Sequence, residues 1–202
     1  MSSRRFVLIG TRALASGAFH LLDLPSSSGR LDVLLRCLRC ALLFSHGLRR
    51  DTTVYLVLLG GPRAPRTLRV RGDGVRFLRP DERSLAITVQ RALLTEAEGP
   101  GFVEVRPGLA VAEGGLDALA GELGDAPLYL LDEAGPDLRD QPIDGPEPVF
   151  FLGDHLGLDE ASRAWLAARG ARSIAIGPVS LHTEDALAVL VNELDRRGAR
   201  PG

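Results

Sequence analysis

Apolar positions along the chain alternate between two periods, and the clearest succession lies between Pro148 and Arg197. Val149-Phe150-Phe151-Leu152 is a bulky run too short for a helix and bounded by Pro148 and Gly153, which predicts a buried strand. The turn Gly153-Asp154-His155-Leu156-Gly157 follows. From Leu158 to Arg169, apolar or small residues recur at helical spacing (Leu158, Ala161, Trp165, Ala168) and stop at Gly170, the residue type expected at a left-handed cap. Ser173-Ile174-Ala175-Ile176 predicts a second strand, broken by Gly177-Pro178. The last helix starts near Thr183 with Glu184 and Asp185 in its first turn. It aligns Leu187, Leu190, Val191 and Leu194 and ends at Arg196-Arg197 before Gly198.

A strand-helix-strand crossover within one sheet returns parallel and right-handed, so the loops Gly153 to Gly157 and Gly177 to His182 are expected at one carboxyl edge. A third strand, Pro127 to Leu131, ends at Asp132-Glu133-Ala134-Gly135 and adds a third loop there if it too is parallel. Ligands of open α/β sheets sit in such a crevice.

The amino half repeats the alternation. Phe6 to Ile9 predicts a strand, about Gly29 to Ser45 a mostly buried helix, and Val54 to Leu59 a long strand closed by Gly60-Gly61-Pro62. Thr67 to Val70 and Val75 to Leu78, around Arg71-Gly72-Asp73-Gly74, have the shape of a hairpin with an Asp-Gly turn. Asp81 is placed to cap a helix through Leu94. Glu96 to Gly108 reads as a Gly/Pro-rich connector and Leu116 to Leu123 as a short helix. The fold class expected is α/β, a mostly parallel sheet with helices on both faces.

Composition narrows this only in part. The chain has 202 residues and 45% hydrophobic content, enough for one good core, so one globular domain is expected. The net charge of -2 conceals a bias: all 24 basic residues are arginine. GC-rich coding explains that bias, yet arginine also grips phosphate in two-toothed fashion better than lysine does. The opening Ser2-Ser3-Arg4-Arg5 precedes an apolar run of only Phe6 to Ile9, far below a signal or membrane segment, and the expected location is cytoplasmic.

Several chemical motifs can be weighed directly. Cys37 and Cys40 form a C-x-x-C, but there is no second cysteine pair and they lie within an apolar helix, so packed thiols are expected rather than a redox or zinc site. His155 and His182 both fall in the crevice loops without an H-x-x-x-H pair, and with Asp154 and Glu184 they make no convincing ligand set; loop-ordering hydrogen bonds are expected and no metal. Neither a P-loop, a G-x-G-x-x-G fingerprint nor a G-x-S-x-G elbow occurs. Arg30, Asp32 and Arg36 open an otherwise apolar helix, and Arg49, Arg50 and Asp51 follow it; ion pairs at the helix ends account for them as well as a functional role does. Arg63, Arg66, Arg69, Arg71, Arg76 and Arg79 read as a solvated arginine face that could widen an RNA footprint.

Three loop segments carry a resemblance: Phe151-Leu152-Gly153-Asp154-His155-Leu156-Gly157, Ile174-Ala175-Ile176-Gly177-Pro178-Val179-Ser180-Leu181-His182, and Asn192-Glu193-Leu194-Asp195-Arg196. The amino half adds Asp23 to Asp32 with Arg36-Cys37, Leu43 to Asp51, and Pro80-Asp81-Glu82-Arg83. In this order they resemble the TrmY-type pseudouridine N1-methyltransferases of the SPOUT superfamily. The match is collinear over nearly the whole chain and weakest from Glu96 to Gly124.

The resemblance implies a single SPOUT domain over residues 1–202, with RNA-binding and dimer elements in the amino half and a cofactor-binding trefoil knot within 127–197. It implies S-adenosylmethionine held, mostly by main-chain groups, among Leu130, Leu131, Gly153, Ile176, Gly177, Pro178, Val179, Ser180, Leu181 and Ala186. Other members often carry cysteine where Ala186 stands, a departure that bears on packing more than on chemistry. It further implies a homodimer acting on tRNA, with N1 of pseudouridine 54 in the T-loop as target and the base flipped or already unstacked. Arg30, Arg36, Arg49 and Arg83 are the expected RNA contacts. Asp32 and Asp154 are the carboxylates expected to accept or relay the N1 proton, and Arg30 the group expected to stabilise charge on the base. Two alternatives stay open: a related enzyme acting on ribosomal RNA or another tRNA base, and a non-catalytic RNA-binding homologue.

Overall fold

Residues 3–97 and 101–198 are described by the structure, a computed structural model. Its elements in chain order are β1 (Arg4–Leu14), α1 (Leu24–Ser27), α2 (Leu31–Leu42), β2 (Leu43–Phe44), β3 (Gly47–Leu48), β4 (Thr52–Gly60), β5 (Arg66–Arg71) and α3 (Glu82–Leu93). Then follow β6 (Val103–Arg106), β7 (Leu109–Glu113), α4 (Leu116–Leu123), β8 (Leu128–Leu131), β9 (Val149–Gly153), α5 (Glu160–Ala168), β10 (Arg172–Ile174) and α6 (Thr183–Gly198).

One sheet runs in the order β10-β8-β9-β1-β4-β5-β7-β6. Pairs from β10 to β4 are parallel, and β4, β5, β7 and β6 continue antiparallel. The run of apolar residues in each central strand follows from burial on both faces. Phe6 and Leu8 of β1, Val54, Leu56 and Leu58 of β4, and Phe150 and Leu152 of β9 pack with α2, α3 and α6. Their neighbours Val7, Ile9, Tyr55, Val57 and Phe151 pack on the other face with α4 and α5. The sheet is thus the α/β layer expected, with helices on both faces.

The strand-helix-strand order from β9 through α5 to β10 holds, but β8 lies between the two strands and pairs with both. β10 stops at Ile174, after which Ala175 bridges to Asp137. Asp81 caps α3 by accepting from Ser84 N–H at 2.8 Å, as its position predicts, and Asp159 caps α5 through Ser162 in the same way.

Two expectations fail. The Asp-Gly turn after β5 exists, with Val75 N–H donating to Arg71 O at 3.0 Å, but no return strand follows. The free edge of β5 is taken by β7, while Val75 and Leu78 turn into the core beneath α2 and α3. The supposed connector Glu96 to Gly108 contains β6, whose Val-Glu-Val-Arg alternation is that of a half-exposed edge strand; its residues 98–100 lie outside the described residues. The arginine set of this region is a solvated face only in part: Arg71, Arg76 and Arg79 are exposed, but Arg66 is fully buried, its guanidinium donating to Leu93 O and Thr95 O, and the half-buried Arg69 pairs with Glu122.

Candidate functional site

Because β1, β8, β9 and β10 are parallel, the loops after the last three leave one edge, together with the amino ends of α2 and α6. They enclose a cavity of about 780 Å³, within the range of small-molecule sites. Its walls come from the loops after β8 (Leu131, Asp132, Glu133), β9 (Gly153 to His155, Gly157 and Leu158) and β10 (Ala175 to Gly177 and Val179 to His182), and from Arg30, Val33, Arg36 and Thr183 to Ala186.

Backbone close approach shapes those loops. A Cβ on Gly153 would stand 2.4 Å from the carbonyl carbon of Gly157, so only glycine lets the segment fold back on itself. Gly177 has φ +149°, in the region that favours glycine. Asp154, 5% exposed, fastens the first loop to the end of β1: its carboxylate accepts from Thr11 N–H at 2.7 Å, Leu156 N–H at 2.8 Å and the Thr11 hydroxyl at 3.3 Å. Thr183 Oγ1 donates to Gly153 O at 3.0 Å, tying α6 to the same loop, and Ser180 Oγ donates to Glu133 Oε1 at 2.9 Å across the other two.

At the amino end of α2, Arg30 has φ +68° and ψ +30°, and among the described residues no other non-glycine has positive φ. Such a conformation costs about 1 to 3 kcal/mol and persists where its surroundings hold it. Here the holder is Asp32, 2% exposed, which receives Arg30 Nε and Nη2 at 3.1 and 3.2 Å and Arg36 Nη1 at 2.9 Å. Burial works against ionisation of Asp32, but the hydrogen bonds and charges of Arg30 and Arg36 outweigh it and hold the carboxyl below its ordinary range. Arg36 also reaches Glu184 at 2.7 Å and Glu82 at 3.3 Å, joining α2, α3 and α6. Glu184 likewise ionises more readily than usual: burial opposes it, and its backbone hydrogen bond and Arg36 prevail.

Of the residues expected at the site, the cavity wall contains Arg30, Arg36, Leu131, Gly153, Asp154, Ile176, Gly177, Val179, Ser180, Leu181 and Ala186. Leu130 does not join them, because strand alternation turns it to the α4-α5 face. Pro178 is exposed and outside the wall, and Asp32 lies behind Arg30. Arg49 is remote from the cavity, near the carboxyl end of α6, where it pairs with Asp195 at 2.8 Å. Arg83 is exposed in the first turn of α3, next to Glu82. Sequence reasoning missed Thr11 and Thr183 as parts of the site and gave Glu133 and Glu184 no role there; Thr183 was visible only as a helix start, Glu184 as that and as a rejected metal ligand, and Glu133 as a member of a crevice loop.

His155 and His182 line the wall, with His155 Nδ1 3.8 Å from Asp154 Oδ1. Among the described residues no group of three or more His, Cys, Asp or Glu is placed to hold a metal ion, and no helix is long and apolar enough to cross a membrane. Burial pushes the thiols of Cys37 and Cys40 up, away from the reactive thiolate.

Residues 3–199 match a family model described as "Putative SAM-dependent RNA methyltransferase". The chain is 42% identical over 202 residues to the tRNA (pseudouridine(54)-N(1))-methyltransferase of Methanosarcina acetivorans, covering 98% of this chain and 94% of the relative. It is 33% identical to the enzyme of the same name from Methanocaldococcus jannaschii, over 96% of this chain and 97% of that one. Among solved structures, Archaeoglobus fulgidus Nep1 bound to S-adenosylhomocysteine superposes with a TM-score of 0.66 at 16% identity, covering 99% of this chain and 100% of the other. That likeness is one of fold.

Proposed function

Since the chain belongs to the SAM-dependent RNA methyltransferase family, whose model spans residues 3–199, we propose that it methylates N1 of pseudouridine 54 in the T-loop of tRNA. The observation that supports this most is the near full-length identity of 42% to a relative of that named activity, in a chain whose parallel strands end at one large cavity.

The cavity suits S-adenosylmethionine. Its sulfonium and ammonium are cationic, and the wall carries five carboxylates, Asp132, Glu133, Asp154, Glu184 and Asp185, against three arginines. Gly153, Gly177 and the run to Leu181 offer main-chain groups, and Leu131, Ile176, Val179, Leu181 and Ala186 an apolar lining. These, without Leu130 and Pro178, are the residues assigned to the cofactor. When bound, it supplies a methyl group already activated on sulfur.

The chain's own task is to place the base and favour loss of the N1 proton. Arg30, aimed from the cavity wall and locked by Asp32, is assigned the negative charge that develops on the base. Asp32 is a poor proton acceptor, since two guanidinium groups already hold it ionised, so its role is to orient Arg30. Asp154 spends its oxygens on Thr11 and Leu156 and holds the loop. Arg36 and Arg83, near the same end of α2, are assigned to RNA. Arg49 can serve that cavity only from the partner subunit of a homodimer, which is also proposed.

Labelled methyl should pass from S-adenosylmethionine into tRNA containing pseudouridine 54 and not into ribosomal RNA. Label confined to ribosomal RNA would overturn the assignment of tRNA.

A further inference from the structure

A basic, aromatic track leads to the cavity along the outside of α2. Arg50, beyond the carboxyl end of that helix, donates from Nη1 to Gly72 O at 2.8 Å and to Val75 O at 2.6 Å, pinning the start of the segment 75–83 there. Seven residues after Val75, Glu82 touches Arg36, which stands at the middle of α2 and lines the cavity. The segment therefore runs from beyond the carboxyl end of the helix to its middle, about 9 Å along its axis. Val75 and Leu78 anchor it in the core, while Arg76, Phe77, Arg79 and Arg83 face solvent.

Charge and aromaticity coincide on this path. Arg50, Arg76, Arg79 and Arg83 have no carboxylate within ion-pair distance, which among the described residues is also true of Arg12, Arg39, Arg91, Arg106, Arg139, Arg169 and Arg196, whereas Arg4, Arg36, Arg49, Arg63, Arg69 and Arg71 are paired; the track is marked by three such groups, Arg76, Arg79 and Arg83, on one exposed segment. Phe77 is 68% exposed and Phe44, at the end of β2 just after α2, is 52% exposed; among the described residues no other phenylalanine, tyrosine or tryptophan is exposed. Phe77 stands in the chain between the unpaired Arg76 and Arg79, and the Phe44 ring lies 5.9 Å from the guanidinium of Arg49, which Asp195 compensates; exposed rings next to guanidinium groups are what unstacked bases and their phosphates require.

We propose that this track is a second RNA-contact surface, on which bases of the substrate outside the reacting nucleotide stack on Phe44 and Phe77 while Arg50, Arg76, Arg79 and Arg83 hold its phosphates. It rests on the reading of the chain as an RNA methyltransferase and extends it: RNA would be gripped along the carboxyl half of α2 as well as at the cavity.

The test uses the full chain, F44A/F77A and R76E/R79E, with tRNA carrying pseudouridine 54 as the probe. Removal of each stacking ring is expected to raise the KM and Kd for tRNA roughly fivefold to hundredfold while kcat and the Kd for S-adenosylhomocysteine stay at the wild-type values. R76E/R79E should also flatten the dependence of log Kd on log salt by about 0.7 to 0.9 for each phosphate no longer neutralised. Wild-type tRNA affinity in both variants would overturn the track, as would loss of self-association by either variant on size exclusion, which would assign the surface to a second copy of the chain. Absence of methyl transfer by the wild type would instead overturn the enzymatic reading, and tRNA binding by anisotropy would still decide the track.

Discussion

Arg30 and Asp32 face each other across a two-toothed ion pair, Nε to Oδ1 at 3.1 Å and Nη2 to Oδ2 at 3.2 Å, in which the aspartate side chain is 2% exposed and the arginine 40%. The buried member is the fixed point and the half-exposed one is presented to the cavity. Replacing Asp32 with Asn removes the charge that holds Arg30 in its left-handed conformation. Methyl transfer should slow by about tenfold to a hundredfold with the affinity for S-adenosylhomocysteine unchanged, measured by single-turnover kinetics and calorimetry. Unchanged turnover would remove Asp32 from the mechanism.

Asp154 should behave in the opposite way. It organises the loop and the end of β1 through Thr11 and Leu156. In Asp154→Asn one acceptor becomes a donor facing those N–H groups. The affinity for S-adenosylhomocysteine is expected to fall by about tenfold, the loss of a charge-assisted hydrogen bond of about 1.5 kcal/mol.

Gly153→Ala places a methyl where Gly157 already stands, at 2.4 and 2.6 Å from its carbonyl carbon and oxygen. The loop cannot give way without releasing Asp154, so cofactor binding should be lost while the circular dichroism spectrum stays that of the wild type. Retained binding would show that the loop is not the cofactor's support.

Much of this site was legible beforehand because glycine-bounded apolar runs announce parallel strands, and parallel order puts their loops on one edge. Gly153, Gly177 and Asp154 could be read in that way. Leu130 was misplaced because a four-residue strand does not reveal from its sequence which face its odd members take. The hairpin after β5 misled for a related reason: the turn residues are local, but the pairing of β5 with β7 is set by partners about 40 positions away. Thr11 was not legible, since its role exists only through its hydrogen bonds to Asp154, 143 residues later.

Acid should weaken the junction of α2 and α6. Asp32 and Glu184 both ionise below their ordinary range in the folded state, with burial opposing and Arg36 favouring the charge in each. A depressed folded value means stability that is present above the unfolded value, near 4, and lost as pH falls through the folded one. The thermal midpoint should therefore drop below about pH 4, and drop less steeply in Asp32→Asn than in the wild type. An equal slope in the two would show that Asp32 does not contribute.

The most direct measurement compares two T-loop stem-loops that differ only in the residue at position 54, pseudouridine or uridine, with methyl-labelled S-adenosylmethionine and this chain. The expected result is label on the pseudouridine RNA alone, because uridine presents carbon instead of an N–H at that edge. Label on both, or on neither while the cofactor is bound, would contradict methylation of pseudouridine N1 in the T-loop.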